Sequence, residues 1–210
     1  MEQVISFDKQ LLLDINHWTS PWADQLMLTL SKVDFWFPMY LIIALAMFFP
    51  RLYSPQSLVR REYEDAVRFR IGMFGVIAVV LCVILTDQIS DFVRDRVCRP
   101  RPGHDPVIGN LVRLIDGPGS QYGFFSGHAA NTVGFAVLTS LIFRRRAWKV
   151  FSLTWALLVC YSRIYLGRHF PGDVLAGILC GAVCATVCWL FYKVLMQASR
   201  RSDSDLQDLR

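Results

Sequence analysis

The sequence predicts an all-α protein that crosses a membrane several times as a helical bundle. Hydrophobic residues make up 54% of the 210 residues and charged residues only 19%, and the apolar residues are gathered into long runs. The basic residues lie in short loops between these runs, which is typical of membrane topology. We therefore expect one membrane-embedded unit, and we do not expect nucleic acid as a partner.

Five apolar segments are candidate membrane spans. They cover residues 34–50, 70–91, 126–143, 147–164 and 172–192. Several are shorter than the ~20 residues that a straight helix needs to cross a bilayer, so flanking Trp, Tyr and Arg side chains would complete them at the interfaces. In an alternative interpretation, residues 22–50 form one long helix that is kinked at Pro38.

Two short helices are expected before the first span, lying in the membrane interface rather than crossing the bilayer. Between residues 4 and 18, apolar side chains recur at helical spacing, with Asp8, Lys9 and Asp14 on the opposite face. A second helix is predicted from Pro21 to Ser31, because proline is favoured in the first helical turn.

The chain is accordingly divided into three parts. The polar residues after Gln197 predict a disordered tail. The parts are interfacial helices at 1–33, a transmembrane domain at 34–197 and a polar cytoplasmic tail at 198–210.

Loop charge predicts the side of the membrane that each segment faces. Arginine and lysine residues cluster after the first span, after the third span and in the tail, which places these regions and the C-terminus in the cytoplasm. The N-terminus and the 92–125 and 165–171 loops then lie on the outer side. The short chain without organelle-targeting signals predicts a bacterial inner membrane.

Three segments on that outer side interrupt the apolar pattern with residues suited to phosphate chemistry. They are RDRVCRPRP at 94–102, FSGH at 125–128, and a third segment containing Ser162, Arg163, His169 and Asp173. Arginine forks bind phosphate oxygens in pairs and stay charged; the sequence offers Arg94, Arg99, Arg101 and Arg163. Ser126 and Gly127 begin an apparent helix whose free N–H groups favour an anion. These residues predict a positively charged cup.

Beside this cup, two histidines and a carboxylate could perform the reaction. A neutral imidazole at His169 can attack phosphorus. Asp173 lies four residues further and shares a helical face with His169, where it could fix the tautomer of the ring. His128 lies on a different element and could protonate the leaving group. No cofactor is needed, and the segments contain no carboxylate cluster suited to a metal.

The three segments resemble the signature of the type-2 phosphatidic acid phosphatase superfamily: Lys-x6-Arg-Pro, then Pro-Ser-Gly-His, then Ser-Arg-x5-His-x3-Asp. The third motif is complete, whereas Phe125 and Arg94 stand where proline and lysine are usual. The resemblance covers residues 70–190. It implies a metal-independent membrane phosphatase, and the loop charges place its active site on the outer side.

The resemblance also implies a role for each matched residue. His169 would form a phosphohistidine, Asp173 would orient it and His128 would be the general acid. Phosphate would be held by Arg94, Arg101, Ser126, Gly127 and Arg163.

The expected partner is a lipid phosphate within the membrane, first of all undecaprenyl diphosphate. Phosphatidylglycerol phosphate, phosphatidic acid and lipid A are alternatives within the superfamily, because the motif residues contact only phosphate. Related haloperoxidases hold vanadate in the same cup, but they are soluble and larger. A lipid-phosphate binding or transport protein without turnover is the alternative from another class, and the oligomeric state stays open.

Overall fold

The computed structural model describes residues 2–18, 20–49 and 64–208, and the regular secondary structure in these ranges is helical. This confirms the predicted all-α class. The described residues form seven α-helices: α1 (Glu2–Asn16), α2 (Pro21–Ser31), α3 (Val33–Ala46), α4 (Glu64–Val97), α5 (Gly127–Phe143), α6 (Arg146–Tyr165) and α7 (Pro171–Asp208). Residues 98–126 connect α4 to α5 and contain two short 3-10 turns at Pro102–His104 and Gly109–Leu111.

The prediction of about five spanning helices is not confirmed. Among the described helices, only Phe69–Val97 of α4 and Pro171–Ser199 of α7 are long and apolar enough to cross a bilayer by themselves. Helices α2 and α3 provide a third span only when they are taken together across a bend of 50°. Helix α5 is apolar but has only 17 residues, most of which are buried by neighbouring helices rather than exposed to lipid.

Three sequence-based boundaries need correction or confirmation. The two N-terminal helices form as predicted, with Pro21 at the start of α2. The alternative long helix over 22–50 is broken at Lys32, whose backbone is extended, whereas Pro38 lies inside α3. The prediction of a disordered tail after Gln197 was wrong, because α7 continues to Asp208.

Helix α5 forms the centre of the bundle and contacts α4, α6 and α7. Two glycines of α7 allow its close approach: a Cβ atom at Gly177 would lie 2.5 Å from the carbonyl oxygen of Ser126. At Gly181 it would lie 2.3 Å from the carbonyl oxygen of Ala130. Small residues of this kind let membrane helices pack backbone to backbone. The contact holds the first turns of α5 and α7 side by side.

Helix α1 packs against the protein through both of its faces. Leu12 is fully buried with Ile108, Val112 and Phe170. The polar face, which the sequence placed opposite the membrane, contacts the 98–126 connection and α7 through Asp8 and Lys9. Asp8 and Lys9 therefore face other parts of the protein rather than solvent.

Candidate active site

The predicted site residues come together at one end of the bundle. Arg94 lies in the last turn of α4 and Arg101 in the connection that follows. Helix α5 begins directly after Ser126, so that Gly127 and His128 occupy its first turn. Arg163 lies in the last turn of α6, the turn after α6 carries His169, and Asp173 lies in the first turn of α7.

His169 is 2% exposed, and its backbone N–H donates to the carbonyl of Arg163 over 3.3 Å. Burial lowers its pKa well below the usual value, and the nearby positive charges of Arg101 and Arg163, and then His128, lower it further. The ring is therefore neutral at physiological pH, and a neutral ring nitrogen has the free lone pair that a nucleophile needs.

Asp173 is fully buried and makes two short polar contacts. It accepts a hydrogen bond from Arg99 Nη1 over 2.6 Å and one from the N–H of Phe170 over 3.0 Å. Its Oδ2 atom lies 3.8 Å from Nδ1 of His169, which is longer than a hydrogen bond. This Nδ1 atom is buried without a hydrogen-bond partner among the described residues. The carboxylate therefore lies on the Nδ1 side of the ring, which leaves the other ring nitrogen free to attack phosphorus. The orienting role of Asp173 stays a prediction.

Two arginines, Arg101 and Arg163, supply desolvated positive charge, and Arg94 and Arg168 lie near them. Arg101 donates to the carbonyl of Tyr122 over 3.1 Å, and its pKa is lowered to about 10 by burial and by the charges of Arg168 and Arg94. Arg163 is 3% exposed and donates to the hydroxyl of Ser31. Positive charges held together away from water are compensated well by a bound anion.

Within the described residues, several guanidinium N–H groups at this end are buried without a hydrogen-bond partner. They are the Nε groups of Arg94, Arg163 and Arg168. Arg94 also pairs with Asp91 over 2.7 Å and with the hydroxyl of Ser90 over 3.1 Å. Two carboxylates of α4 precede Arg94 in the sequence. Asp91 pairs with Arg94, whereas Asp87 accepts a hydrogen bond from the side chain of Asn131 over 2.8 Å. Buried donors of this kind indicate a place for a ligand with several acceptor oxygens.

The start of α5 provides backbone donors. Ser126 is the N-cap: its hydroxyl accepts from the N–H of Ala129 over 3.4 Å, and its own N–H donates to the carbonyl of Asp173 over 3.0 Å. The N–H groups of Gly127 and His128 then remain by position as donors for an anion. Ser126 is fully buried and its hydroxyl caps the helix, so phosphate binding by Ser126 stays a prediction that depends on the start of the helix rather than on the hydroxyl.

Arg99 is not one of the phosphate-binding forks that the sequence suggested. Its Nη1 binds Asp173 and its Nη2 binds Asp8 of α1, each over 2.6 Å. Its guanidinium carbon lies 4.3 Å from the ring centroid of Phe170. The fork is therefore occupied by two carboxylates before any substrate arrives.

Arg168 and Asp8 are site residues that the sequence interpretation missed. Arg168 donates to the carbonyls of Asp116 and Gly117 over 3.0 and 2.9 Å, and its charge acts on Arg101, Arg163 and His128. Its position directly before His169 was an available signal. Asp8 offered none, since its partner Arg99 is 91 residues away.

His128 lies where the arginine cluster meets an apolar groove. Burial, and then the positive charges of Arg163, Arg168 and Arg101, lower the pKa of His128 to about 3, so its ring is neutral at physiological pH in the substrate-free protein. His128 also lines a groove of about 440 Å³ between α3, α4 and α5. Apart from His128, Asn131 and Thr132, the groove is lined by Val33, Tyr40, Ile43, Ala44, Met47, Val76, Val79, Val80, Val83, Ile84 and Phe135. One side chain thus borders both a polar site and an apolar one.

In the part of the chain that the structure describes, no three His, Cys, Asp or Glu side chains are arranged to hold a metal ion. The metal-free reaction stays a prediction that rests on the histidines.

Comparison with known proteins identifies relatives of the whole chain. Residues 75–197 match the model of the PAP2 superfamily. The chain is 33% identical to a protein named lipid A 4'-phosphatase from Bacteroides thetaiotaomicron, over 98% of this chain and 84% of that protein. It is 30% identical to an undecaprenyl-diphosphatase from Sulfolobus acidocaldarius, over 86% of this chain and 76% of that protein.

Two crystal structures share the fold. One is a PAP2-type phosphatidylglycerolphosphate phosphatase from Bacillus subtilis, with a TM-score of 0.64 and 22% identity over 92% of this chain and 88% of that one. The other is Aquifex aeolicus LpxE, with a TM-score of 0.62 and 20% identity over 85% of this chain and 92% of that one.

The matching residues include all three sequence motifs, and the matches extend well beyond them. The bacterial relatives and the apolar helices suggest a bacterial membrane location. The chain belongs to the PAP2 superfamily and is a membrane lipid phosphatase of that superfamily.

Proposed function

We propose that this phosphatase removes a phosphate group from lipid A through a phosphohistidine on His169. The observation that carries the proposal is the position of His128 between the arginine cluster and the apolar groove. A lipid phosphate has the same division, with a charged headgroup joined to hydrocarbon.

The lining of the groove suits the hydrocarbon chain of a lipid better than a polar ligand. Its lining is almost entirely aliphatic and aromatic, and its volume is within the ~300–1,000 Å³ that is usual for ligand sites. The lipid tail would lie between α3, α4 and α5 while the phosphate enters the cup. The outer face of the membrane is the proposed side, as the loop charges predict.

The reaction proceeds in two displacements. The ring nitrogen of His169 that points away from Asp173 attacks phosphorus and forms a P–N bond, while the bond from phosphorus to the lipid oxygen breaks. The negative charge of the bound phosphate offsets the arginines and raises the pKa of His128, which takes up a proton on substrate binding and gives it to that oxygen as it leaves. Water then attacks the phosphohistidine, giving its proton to His128, and inorganic phosphate is released. Arg94, Arg101, Arg163 and the N–H groups at Gly127 and His128 hold the transferring oxygens.

Lipid A is favoured as the substrate by the extent of similarity. Proteins named lipid A 4'-phosphatase, from Bacteroides thetaiotaomicron and Porphyromonas gingivalis, match 98% and 96% of this chain at 33% identity. Undecaprenyl diphosphate, the first expectation from the sequence, is the second candidate because of the undecaprenyl-diphosphatase relative.

The test is phosphate release by the purified protein in detergent with EDTA present throughout. The substrates are lipid A, undecaprenyl diphosphate, phosphatidylglycerol phosphate and phosphatidic acid. We expect the highest kcat/KM on lipid A, no release by His169→Ala, and normal release by His17→Ala, which changes an exposed histidine bound only to the carbonyl of Leu111.

Each component can fail separately. Turnover by His169→Ala would exclude the phosphohistidine, and loss of activity in EDTA would exclude the metal-free reaction. A higher kcat/KM on undecaprenyl diphosphate would replace the substrate, and binding of all four lipids without release would favour a binding or transport protein.

A further inference from the structure

Asp173 is linked to two further charged residues, which together form a row of charges that begins on helix α1. Asp8 of α1 binds Arg99 over 2.6 Å, and Arg99 binds Asp173 over 2.6 Å. Asp173 in turn lies 3.8 Å from Nδ1 of His169. The order of charges along this row is negative, positive, negative.

The row is buried enough for its charges to matter. The side chain of Asp173 is inaccessible to solvent, and those of Asp8 and Arg99 are 14% and 24% exposed. A buried carboxylate without a cation would be unfavourable, so Arg99 favours the ionised form of Asp173 against the burial that opposes it. If both arms of the Arg99 fork bound Asp173, the positive charge of Arg99 would cancel the negative charge of Asp173. Because Asp8 takes the second arm, the row retains a net charge of −1.

Asp8 also fixes the element that carries Asp173. Its Oδ1 atom accepts a hydrogen bond from the N–H of Gly172 over 2.8 Å, while its Oδ2 atom binds Arg99. One carboxylate thus holds both the first turn of α7 and the cation next to it. Arg99 additionally packs on the ring of Phe170, the residue that follows His169.

We propose that Asp8 and Arg99 are positioning residues for the His169 nucleophile, so that helix α1 is part of the active site. Arg99 favours the ionised form of Asp173, and Asp8 fixes both Arg99 and the first turn of α7, so that Asp173 is aimed at Nδ1. The remaining negative charge stabilises the ring as it becomes positive during attack. This rests on the proposed phosphohistidine reaction. Neither residue touches the phosphate, because both arms of the Arg99 fork are occupied.

The other charged and titratable groups facing His169 define the expected direction of the effect. Arg101 of the connection, Arg163 of α6 and His128 of α5 all disfavour a positive ring. Asp173 opposes them at 3.8 Å. Removing the charge of Asp8 lets Arg99 neutralise Asp173 more fully, so the ring becomes harder to protonate. The acid limb of the pH profile of kcat/KM, where activity is lost because His169 becomes protonated, then moves to lower pH.

Asp8→Asn tests the proposal, because the amide oxygen can still accept from Gly172 while the charge is lost. We expect kcat to fall about 10- to 100-fold, as is usual when the partner of a site residue is removed, with little change in KM. The acid limb should move to lower pH. Arg99→Gln should lower kcat further, since it leaves Asp173 buried without a cation, and Asp8→Glu should restore the wild-type limb.

Lys9→Gln is the matched control. Lys9 is the neighbouring residue of α1 and pairs with Asp105 of the same connection over 2.8 Å, but it does not contact the row. We expect it to retain the wild-type kcat and acid limb. The substrate is whichever of the four lipids shows release that depends on His169.

The pH profile separates positioning from a purely structural role. The position of the acid limb does not depend on how much enzyme is folded, so a destabilised variant still gives a result. An unchanged limb in Asp8→Asn, or equal losses in Asp8→Asn and Lys9→Gln, would overturn the proposal. Absence of His169-dependent release by the wild type would instead overturn the proposed function itself.

Discussion

The charged end of the bundle and the α5–α7 contact are held together in different ways. At the charged end, Arg113 binds Asp24 of α2 through both arms of its fork, over 2.7 and 3.0 Å. Tyr165 of α6 donates to the same carboxylate over 2.6 Å. The α5–α7 contact instead depends on close backbone approach at Gly177 and Gly181.

The difference follows from the surroundings of each region. Between helices in a membrane, lipid tails are as apolar as the side chains, so tight packing of small residues provides the attraction. At the charged end, the connection and the short helices bury only a small apolar cluster around Leu12, and ion pairs with defined geometry add to it. The predicted catalytic residues His128 and Asp173 lie next to the α5–α7 contact, because Gly177 and Gly181 hold the N-terminal part of α7 against the start of α5.

The largest effect of a single substitution is expected at His128, which borders the arginine cluster and the apolar groove. His128→Ala should reduce turnover by about 10²- to 10⁴-fold on a lipid phosphate, whose alkoxide leaving group needs a proton. The loss should be much smaller on p-nitrophenyl phosphate, whose leaving group does not. Steady-state kinetics on both substrates measure it, and equal losses would argue against a general acid.

The α5–α7 contact can be broken with a single side chain. Gly181→Val should destabilise the protein by at least about 1–3 kcal/mol, because the added atoms meet the backbone of Ala130, which cannot move aside. Thermal unfolding in detergent measures this. Val183→Ala, on the 63% exposed position two residues further, is the control that should leave the melting temperature nearly unchanged. Similar melting temperatures for the two variants would contradict the packing.

The smallest expected effect concerns the docking of α1 at the charged end. Burial alone would raise the pKa of Asp105, but hydrogen bonds from Lys9 and from the N–H groups of Val107 and Ile108 lower it below its usual 3.8. A carboxyl whose pKa is lowered by folding stabilises the protein above its unfolded pKa, and this stabilisation is lost as the pH falls through the folded pKa.

Asp105→Asn should therefore lower the melting temperature slightly at pH 7, by the equivalent of about 1 kcal/mol. The difference from the wild type should begin to shrink as the pH falls through about 3.8 and should disappear only below the folded pKa, which lies lower. Unfolding curves between pH 3 and 7 measure it. A difference that stays the same from pH 7 down to pH 3 would show that the charge of Asp105 is not its cause.

Residue type and spacing were sufficient to predict the helical class, the two N-terminal helices and the residues brought together at one end. Apolar runs determine helices in a membrane because every backbone group must be satisfied within the helix. Motif spacing is local, so it indicates which residues share a turn, as at Ser126, Gly127 and His128.

Tertiary structure alone decided which partners the charges choose and how many helices can cross the membrane by themselves. Arg99 was indistinguishable from Arg101 in the sequence, yet it binds Asp8 and Asp173, which are 91 and 74 residues away. Helix α5 has only 17 residues, because it begins after the N-cap Ser126 and ends before Arg144, whose backbone is left-handed. An ion pair depends on distances of a few ångströms, and no pattern of spacing along the chain contains those distances.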